Sequence, residues 1–286
     1  MLIINNELKR SSVSEKLSFV ISMVFLFLLA FFFLFPLYWM LKGALQPSFM
    51  AIQLPPSFLP IKMTFSNFQK LFTKTPAIRW FLNSVIVSGS STLLTVIFSS
   101  LAGYAFGKKT FWGKNFLFWI LLTAMMVPKQ VMLIPLYVLM NNYHLYNTYP
   151  GQFLPMVAWP FGLFMMKQYM QTLPNDFLQS AKIDGANEWL LFWKIVVPLS
   201  KPVIATTAIL TFVNTWNDYM WQLVIVKDIN MATLPVGIAK FAYSEMSVDY
   251  GLLMAGATFG AIPMIAIFIL FQKYFVKGIT MGSIKG

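Results

Sequence analysis

Cysteine is absent from this sequence, and histidine occurs once, as His144. Disulfides, thiolate metal sites and cysteine nucleophiles are thereby excluded, and a single imidazole does not make a multi-histidine metal centre. Acidic residues are also scarce: nine Asp and Glu stand against 21 Lys and Arg, and charged residues make up only 10% of the chain. Soluble domains carry about 25%. What fills the chain is apolar, with 58% hydrophobic residues and a mean hydropathy of +0.69 over 286 positions. The chain therefore reads as an integral membrane protein of the all-α class. A formal charge of +12 suits nucleic acid in principle, through counterion release from phosphates. Here the lysines lie mostly between apolar runs, so orientation in a membrane accounts for them and no nucleic-acid partner is expected.

Crossing about 30 Å of hydrocarbon takes roughly 20 apolar residues as helix. Six segments qualify, over 19–41, 84–106, 116–140, 151–171, 203–226 and 252–275. Pro128, Pro135, Pro155 and Pro160 fall in the third and fourth, where each removes a backbone donor and predicts a kink or break. The first run is longer than a signal-peptide core and is not followed by a small-residue cleavage site, so it is expected to be retained. The short loop KKTFWGK at 108–114 has three lysines, whereas NNYHLYNTY at 141–149 has none. The positive-inside rule then sets both termini in the cytoplasm. Residues 1–18 form a cytoplasmic N-terminal segment and 19–286 a single six-span domain. Within that domain a cytoplasmic loop runs over 174–202 and a cytoplasmic tail over 276–286.

The segment LQSAKIDGANEWLLFWKIVVPLSKP, from Leu178 to Pro202, is charged and turn-containing in a chain otherwise written in membrane residues. Asn175 is suited to cap a short helix with Asp176 in its first turn. Asp184 and Gly185 stop that helix, since glycine tolerates a left-handed backbone. Asn187 is suited to cap the next. Helix, tight turn, helix makes a rigid protrusion, readable as a docking element or as an interfacial connector.

Two ionisable residues fall inside expected spans, Lys129 after Pro128 and Asp218 within NTWNDYMW. Such groups cost roughly 2.5 to 3.5 kcal/mol in hydrocarbon and normally face a bundle interior or a water-filled cavity. Both are pathway candidates; Asp218 also suits a helix-end anchor, and Lys129 suits snorkelling to an interface. Asn214, Trp216 and Asn217 lie beside Asp218, offering amides for hydroxyls and an aromatic face for a sugar ring.

A phosphate cradle of the form GxxxxGK followed by Ser or Thr is missing. The nearest stretch, GYAFGKK at Gly103 to Lys109, is one residue short, and its Gly103 and Gly107 suit close helix packing, as do Gly256 and Gly260. No nucleophile and base pair or metal-ligand cluster is visible, so the chain is not read as an enzyme and is expected to hold no cofactor of its own.

QSAKIDGA followed by FWKIVVPLSKP resembles the cytoplasmic EAA loop of importer permeases in the ATP-binding-cassette superfamily, of the sugar type similar to the inner subunit of the maltose transporter. IPLYVLM, YNTYPGQFLP, TFVNTWNDYMWQLV, TLPVG and FVKGITMGSIKG are similar to the same family in the same order. The resemblance implies that the 174–202 loop docks into a cleft on an ATPase subunit. Gln179, Ser180 and Ala181 stand where the family has Glu, Ala and Ala, while Asp184, Gly185 and Ala186 match it directly. Gln179 keeps an acceptor but loses the charge that would strengthen a bond to a basic partner.

It further implies a second, non-identical permease, an ATPase dimer that holds ATP and Mg, and an extracytoplasmic binding protein that meets residues 227–250. The cargo implied is a carbohydrate, and the setting is the lipid of a bacterial-type inner membrane. The competing reading is a gradient-driven secondary carrier, for which Lys129 and Asp218 would serve as a coupling site.

Overall fold

The computed structural model describes residues 13–51, 53–243 and 248–280, with side chains between Lys16 and Gln272. Lys9, Arg10 and the end of the tail at 281–286 lie outside the described residues. The described chain is helical, and its one extended pairing is an isolated bridge between Tyr243 and Val248.

Helix α1 spans Val13–Ala44, α2 Ser66–Lys74, α3 Ala77–Lys108, α4 Lys114–Thr123 and α5 Lys129–Asn142. They are followed by α6 over Tyr149–Val157, α7 over Pro160–Thr172, α8 over Asp176–Ile183 and α9 over Glu188–Leu191. A π-helical turn at Phe192–Val196 and the short α10 at Val197–Leu199 lead into α11 at Lys201–Trp216. The last three are α12 at Met220–Ile225, α13 at Leu234–Ala242 and α14 at Tyr250–Thr280.

Three of these are long and apolar enough to cross a membrane, within Lys16–Ala44, Ala77–Lys108 and Tyr250–Gln272. The remaining runs are broken. Expected span three turns through 104° between Met126 and Lys129, because Pro128 forces Val127 into an extended backbone and deprives the chain of a donor. Expected span four breaks at Ala158 and Trp159, ahead of Pro160 in the first turn of α7. Pro135 and Pro155 lie inside helices that continue past them. Expected span five ends early: α11 stops at Trp216 and α12 resumes at Met220, so Asp218 lies in a helix break and not within a continuous span.

Helix α3 is the axis of the bundle, with α6, α7, α11 and α13 packed around it. Its buried face is polar and small: Ser84, Ser88, Ser91, Thr95 and Ser99 recur at three- and four-residue spacing and are each at most 5% exposed. Between lipid-embedded helices hydrophobic burial gives no net drive, so close approach of small side chains and interhelical hydrogen bonds hold the interface. Gly103 and Gly107 continue this face. A Cβ on Gly103 would lie 2.5 Å from Met166 Cβ, and one on Gly107 3.3 Å from the backbone of α7. GYAFGKK is therefore a helix-packing surface with no loop to cradle a phosphate.

Two apolar clusters flank this hydroxyl-rich middle. One gathers Trp80, Trp216, Trp221, Ile225 and Leu252; the other gathers Tyr104, Met166, Met170, Phe192, Val196 and Val203. At the first end Trp80 donates its indole N–H to Ile229 O at 2.7 Å, and Asn83 donates to the carbonyls of Asn230 and Ala232, both at 2.8 Å. These bonds fix the 229–242 segment over α3. Most of α1 is exposed along its length, a Leu- and Phe-rich face suited to lipid.

Candidate functional site

Three helix breaks converge on one cleft. It has a volume of about 580 Å³, and its lining includes Val127 and Lys129 at the first break, Ala158 and Trp159 at the second, and Asp218 at the third. A neighbouring cavity of about 340 Å³ shares Lys129, Asn214, Asp218 and Met220 and adds Asn217. Irregular backbone at membrane depth is tolerated only where protein buries it or where it lines a water-filled cavity. The breaks therefore have a physical reason to meet here.

Of the residues expected on the pathway, Lys129, Asn214, Asn217 and Asp218 come together around these two cavities. Lys129 is the first residue of α5 and is solvent-exposed in the isolated chain. Asp218 Oδ1 accepts from Trp221 N–H at 3.4 Å, so the carboxylate anchors the start of α12. Its Oδ2 is buried with no hydrogen-bond partner. Helix anchor and cleft wall are thus one side chain. Asn217 donates to Val213 O at 3.0 Å, closing the end of α11.

Trp216 corrects the sequence reading. It is 3% exposed, stacks on Phe212 at 5.5 Å between ring centroids, meets Phe81 edge-on at 5.6 Å and donates its indole N–H to Gly260 O at 3.1 Å. It is a core residue because the last helical turn of α11 rotates it away from Asn214 and Asp218. The aromatic faces in the cleft come instead from Trp159 and Phe161, together with Gln130 as a further amide. Trp159 and Phe161 escaped the sequence reading, although the tripeptide WPF beside a predicted break was their signal.

The 174–202 segment, the second candidate, lies at the Lys108 end of α3. Helix α8 ends at Ile183, and the turn passes through Gly185 at φ +82°. Asn187 accepts from Leu190 N at 2.9 Å and caps α9. Asn175 does not cap α8: its side chain is taken by Lys108 Nζ at 2.8 Å, which also bonds Gln171 O at 3.3 Å and the carbonyl of Leu173. Gln179, Ser180, Asp184 and Gly185 are exposed, while Ala181 and Ala186 are half-buried. Large apolar side chains stand out beside them, Ile183 at 87%, Trp189 at 62% and Phe177 at 54%.

Glu188 was not singled out in the sequence. Its carboxylate accepts from Tyr104 O–H at 2.8 Å and pairs with Lys109 and, at 3.1 Å, with Lys182. The Lys109 hydrogen bond, helped by those from Tyr104 and Lys182 and opposed by burial, holds this carboxyl down at about 2, against an ordinary value of 4.5. No spacing rule links position 188 to position 109, which is why only the fold reveals the cluster.

The family described as "Binding-protein-dependent transport system inner membrane component" matches residues 96–281. The chain is similar to the arabinooligosaccharides transport system permease protein AraQ of Bacillus subtilis, 37% identical over 266 residues that cover 92% of this chain and 94% of that protein. It is similar to the trehalose/maltose transport system permease protein MalG of Thermococcus litoralis, 32% identical with 97% and 99% covered. It is also similar to the sn-glycerol-3-phosphate transport system permease protein UgpE of Yersinia pestis, 30% identical with 86% and 90% covered. Its fold matches a chain in the crystal structure of a bacterial ABC transporter involved in the import of the acidic polysaccharide alginate, with a TM-score of 0.81, 22% identity and coverage of 93% and 99%.

Proposed function

The chain belongs to the family of binding-protein-dependent transport system inner membrane components, and from that membership we propose that it is the permease subunit of an ATP-driven carbohydrate importer whose cargo passes the Lys129 and Asp218 cleft. The observation that carries the pathway is the convergence of three helix breaks on one cleft that is lined by Lys129, Asn214 and Asp218, with Asn217 in the cavity beside it. Carbohydrate as cargo rests on the relatives, two of which are permeases for arabinooligosaccharides and for trehalose and maltose. The cleft chemistry suits it: a carboxylate oxygen without a partner and amides accept and donate to hydroxyls, and Trp159 and Phe161 offer faces for ring C–H groups. A polyol phosphate is the second reading, favoured by the Lys129 cation and by the sn-glycerol-3-phosphate relative.

The arrangement proposed has six spans, the bent and broken helices included, with both termini in the cytoplasm of a bacterial-type cell. Gln179, Ser180, Ala181, Asp184, Gly185 and Ala186 meet an ATPase dimer through an exposed turn flanked by Ile183 and Trp189. A second, non-identical permease completes the path, and an external binding protein delivers cargo to residues 227–250. ATP and Mg belong to the ATPase partner; the helical packing of Gly103 and Gly107 supports the view that this chain brings no phosphate cradle. A gradient-driven secondary carrier has no support among the relatives.

The test is uptake by right-side-out vesicles of labelled arabino- and maltooligosaccharides and of sn-glycerol 3-phosphate, in the native chain and in Asp218→Ala. Importer uptake persists when the proton gradient is collapsed with ATP maintained, and Asp218→Ala lowers it while the partner subunits still co-purify. Loss of uptake on gradient collapse would overturn the importer. Loss of assembly in Asp218→Ala with residual transport unchanged per complex would make Asp218 a helix anchor alone.

A further inference from the structure

Helix α3 joins the two sites. From Tyr104 to Ser91 it runs about 20 Å at 1.5 Å per residue. Around Ser91 it meets the cleft wall: Thr215, a lining residue, donates to Ser91 Oγ at 3.3 Å, and Thr95 donates at 3.3 Å to Val157 O, the residue before the second break. At the other end, adjacent lysines hold both shoulders of the 174–188 hairpin. Lys108 binds the carbonyls of Gln171 and Leu173 and the Asn175 side chain, while Lys109 and Tyr104 bind Glu188.

The covalent route from the hairpin to the cleft is less direct than this one. It passes the π-helical turn at 192–196, a geometry frequent at functional sites, and then turns through 77° at Ser200 before α11 begins. We propose that Glu188 is the latch that makes the hairpin and α3 move as one body, and so a positioning residue for transport. Neither the cleft nor the exposed docking turn includes it. Its carboxylate gathers one phenol and two ammonium groups from two helices, and it joins α8 to α3 through Lys182 and Lys109. With the latch broken, the α9 shoulder is freed while Lys108 still holds the other, so motion of the hairpin reaches α3 only in part. This rests on the docking reading of the hairpin.

The experiment uses the complete importer reconstituted in proteoliposomes, comparing Glu188→Gln, Lys109→Glu, Glu188→Lys and the Glu188→Lys, Lys109→Glu exchange. Glutamine keeps an acceptor for Tyr104 and removes the charge. The ATPase still co-purifies with Glu188→Gln and still hydrolyses ATP, while solute moved per ATP falls by up to about fivefold, the scale of one partly exposed ion pair. The exchange variant recovers the part carried by the Lys109 pair and not the part carried by Lys182, a partial rescue that a merely structural role would not predict. Because the chain has no cysteine, spin labels at Ser180→Cys and Thr110→Cys report the distance from the hairpin to the loop just past the end of α3 in this chain without its partners, and Glu188→Gln broadens that distribution. An unchanged distribution and unchanged coupling, or an exchange variant no better than its parents, overturns the latch. Loss of the ATPase from Glu188→Gln also overturns it and makes Glu188 a docking contact. Failure of the native chain to bring down any ATPase, with the label distances still responding to Glu188→Gln, sinks the docking reading while the mechanical tie stands.

Discussion

Replacing Gly185 separates backbone strain from partner contact. Its φ of +82° is one that L side chains rarely adopt, yet a Cβ built there has nothing within 4 Å. In this chain alone, then, any side chain at 185 costs conformation and not space. Left-handed backbone costs an ordinary residue about 1–2 kcal/mol, and asparagine less because its short polar side chain bonds locally. Gly185→Ala should therefore shift the turn equilibrium by a factor of roughly 5 to 30, and Gly185→Asn by much less. Gly185→Glu carries the same strain as alanine and adds a charged side chain pointing away from the protein. If this turn seats in an ATPase, the loss of ATPase co-purification and of ATP-driven uptake follows the order Glu, then Ala, then Asn. The surplus of Glu over Ala measures the partner surface, since nothing in this chain opposes that side chain. The assay is quantitative pull-down of the ATPase by the tagged chain in mild detergent, with vesicle uptake in parallel. Equal behaviour of Ala and Glu would refute a contact at 185, and normal behaviour of all three would refute the docking turn altogether.

Trp216→Ala should behave as a core truncation, costing about 3–5 kcal/mol: thermal unfolding in detergent shifts down, and the KM of whatever assembles stays at the native value. A raised KM with unchanged thermal stability would return Trp216 to the pathway. The Asp249 carboxylate, opposed by its burial but bonded by Lys70, Leu252 N–H and Ser48, is held below its ordinary 3.8. A depressed folded value gives stability that is complete above 3.8 and is lost as pH falls through the lower folded value. The tie between α2 and α14 should hold across pH 5–8 and weaken only in stronger acid, so the thermal midpoint of the native chain falls more steeply below about pH 4 than that of Asp249→Asn. Parallel acid profiles would show that the pair contributes nothing.

Composition and hydropathy were enough for an all-helical membrane chain, because an apolar run in hydrocarbon has few ways to satisfy its backbone other than as a helix. The straightness of the spans was not legible. Pro128 and Pro135 look alike in sequence, yet only Pro128 breaks the chain, since the preceding Val127 is free to extend at a helix end whereas Pro135 lies inside a helix that its neighbours sustain. At the cleft, the charges were legible from their cost: Lys129 and Asp218 are out of place in hydrocarbon unless they face a cavity, and they do. Aromatics carry no such signal. Trp216 and Trp159 are equally at home in a core or at a wall, and the rotation of a helix end decided between them. Glu188 was invisible for a different reason. A charged residue in a polar loop costs nothing by itself, so only its partners 84 and 79 positions away mark it as special.

The interior of α3 explains why such a remote tie can matter. A helix keyed to its neighbours by long interlocking side chains would resist displacement along its whole length, and a push at one end would be absorbed within a turn or two. The face of α3 toward α7 and α11 is instead built from serine, threonine and glycine. Hydroxyls on both sides of this contact, Ser88 and Thr92 on α3 and Thr207 on α11, are buried without a hydrogen-bond partner. The described hydroxyl bonds from α3 to the cleft walls are two, both at 3.3 Å, long for a hydroxyl donor. Weak contacts in the middle, the charged contacts at the Glu188 end and the Trp80 and Asn83 bonds at the other make α3 a rod held chiefly at its two ends. Shifting it draws Ser91 and Thr95 past Thr215 and Val157, the two points where the cleft wall is attached.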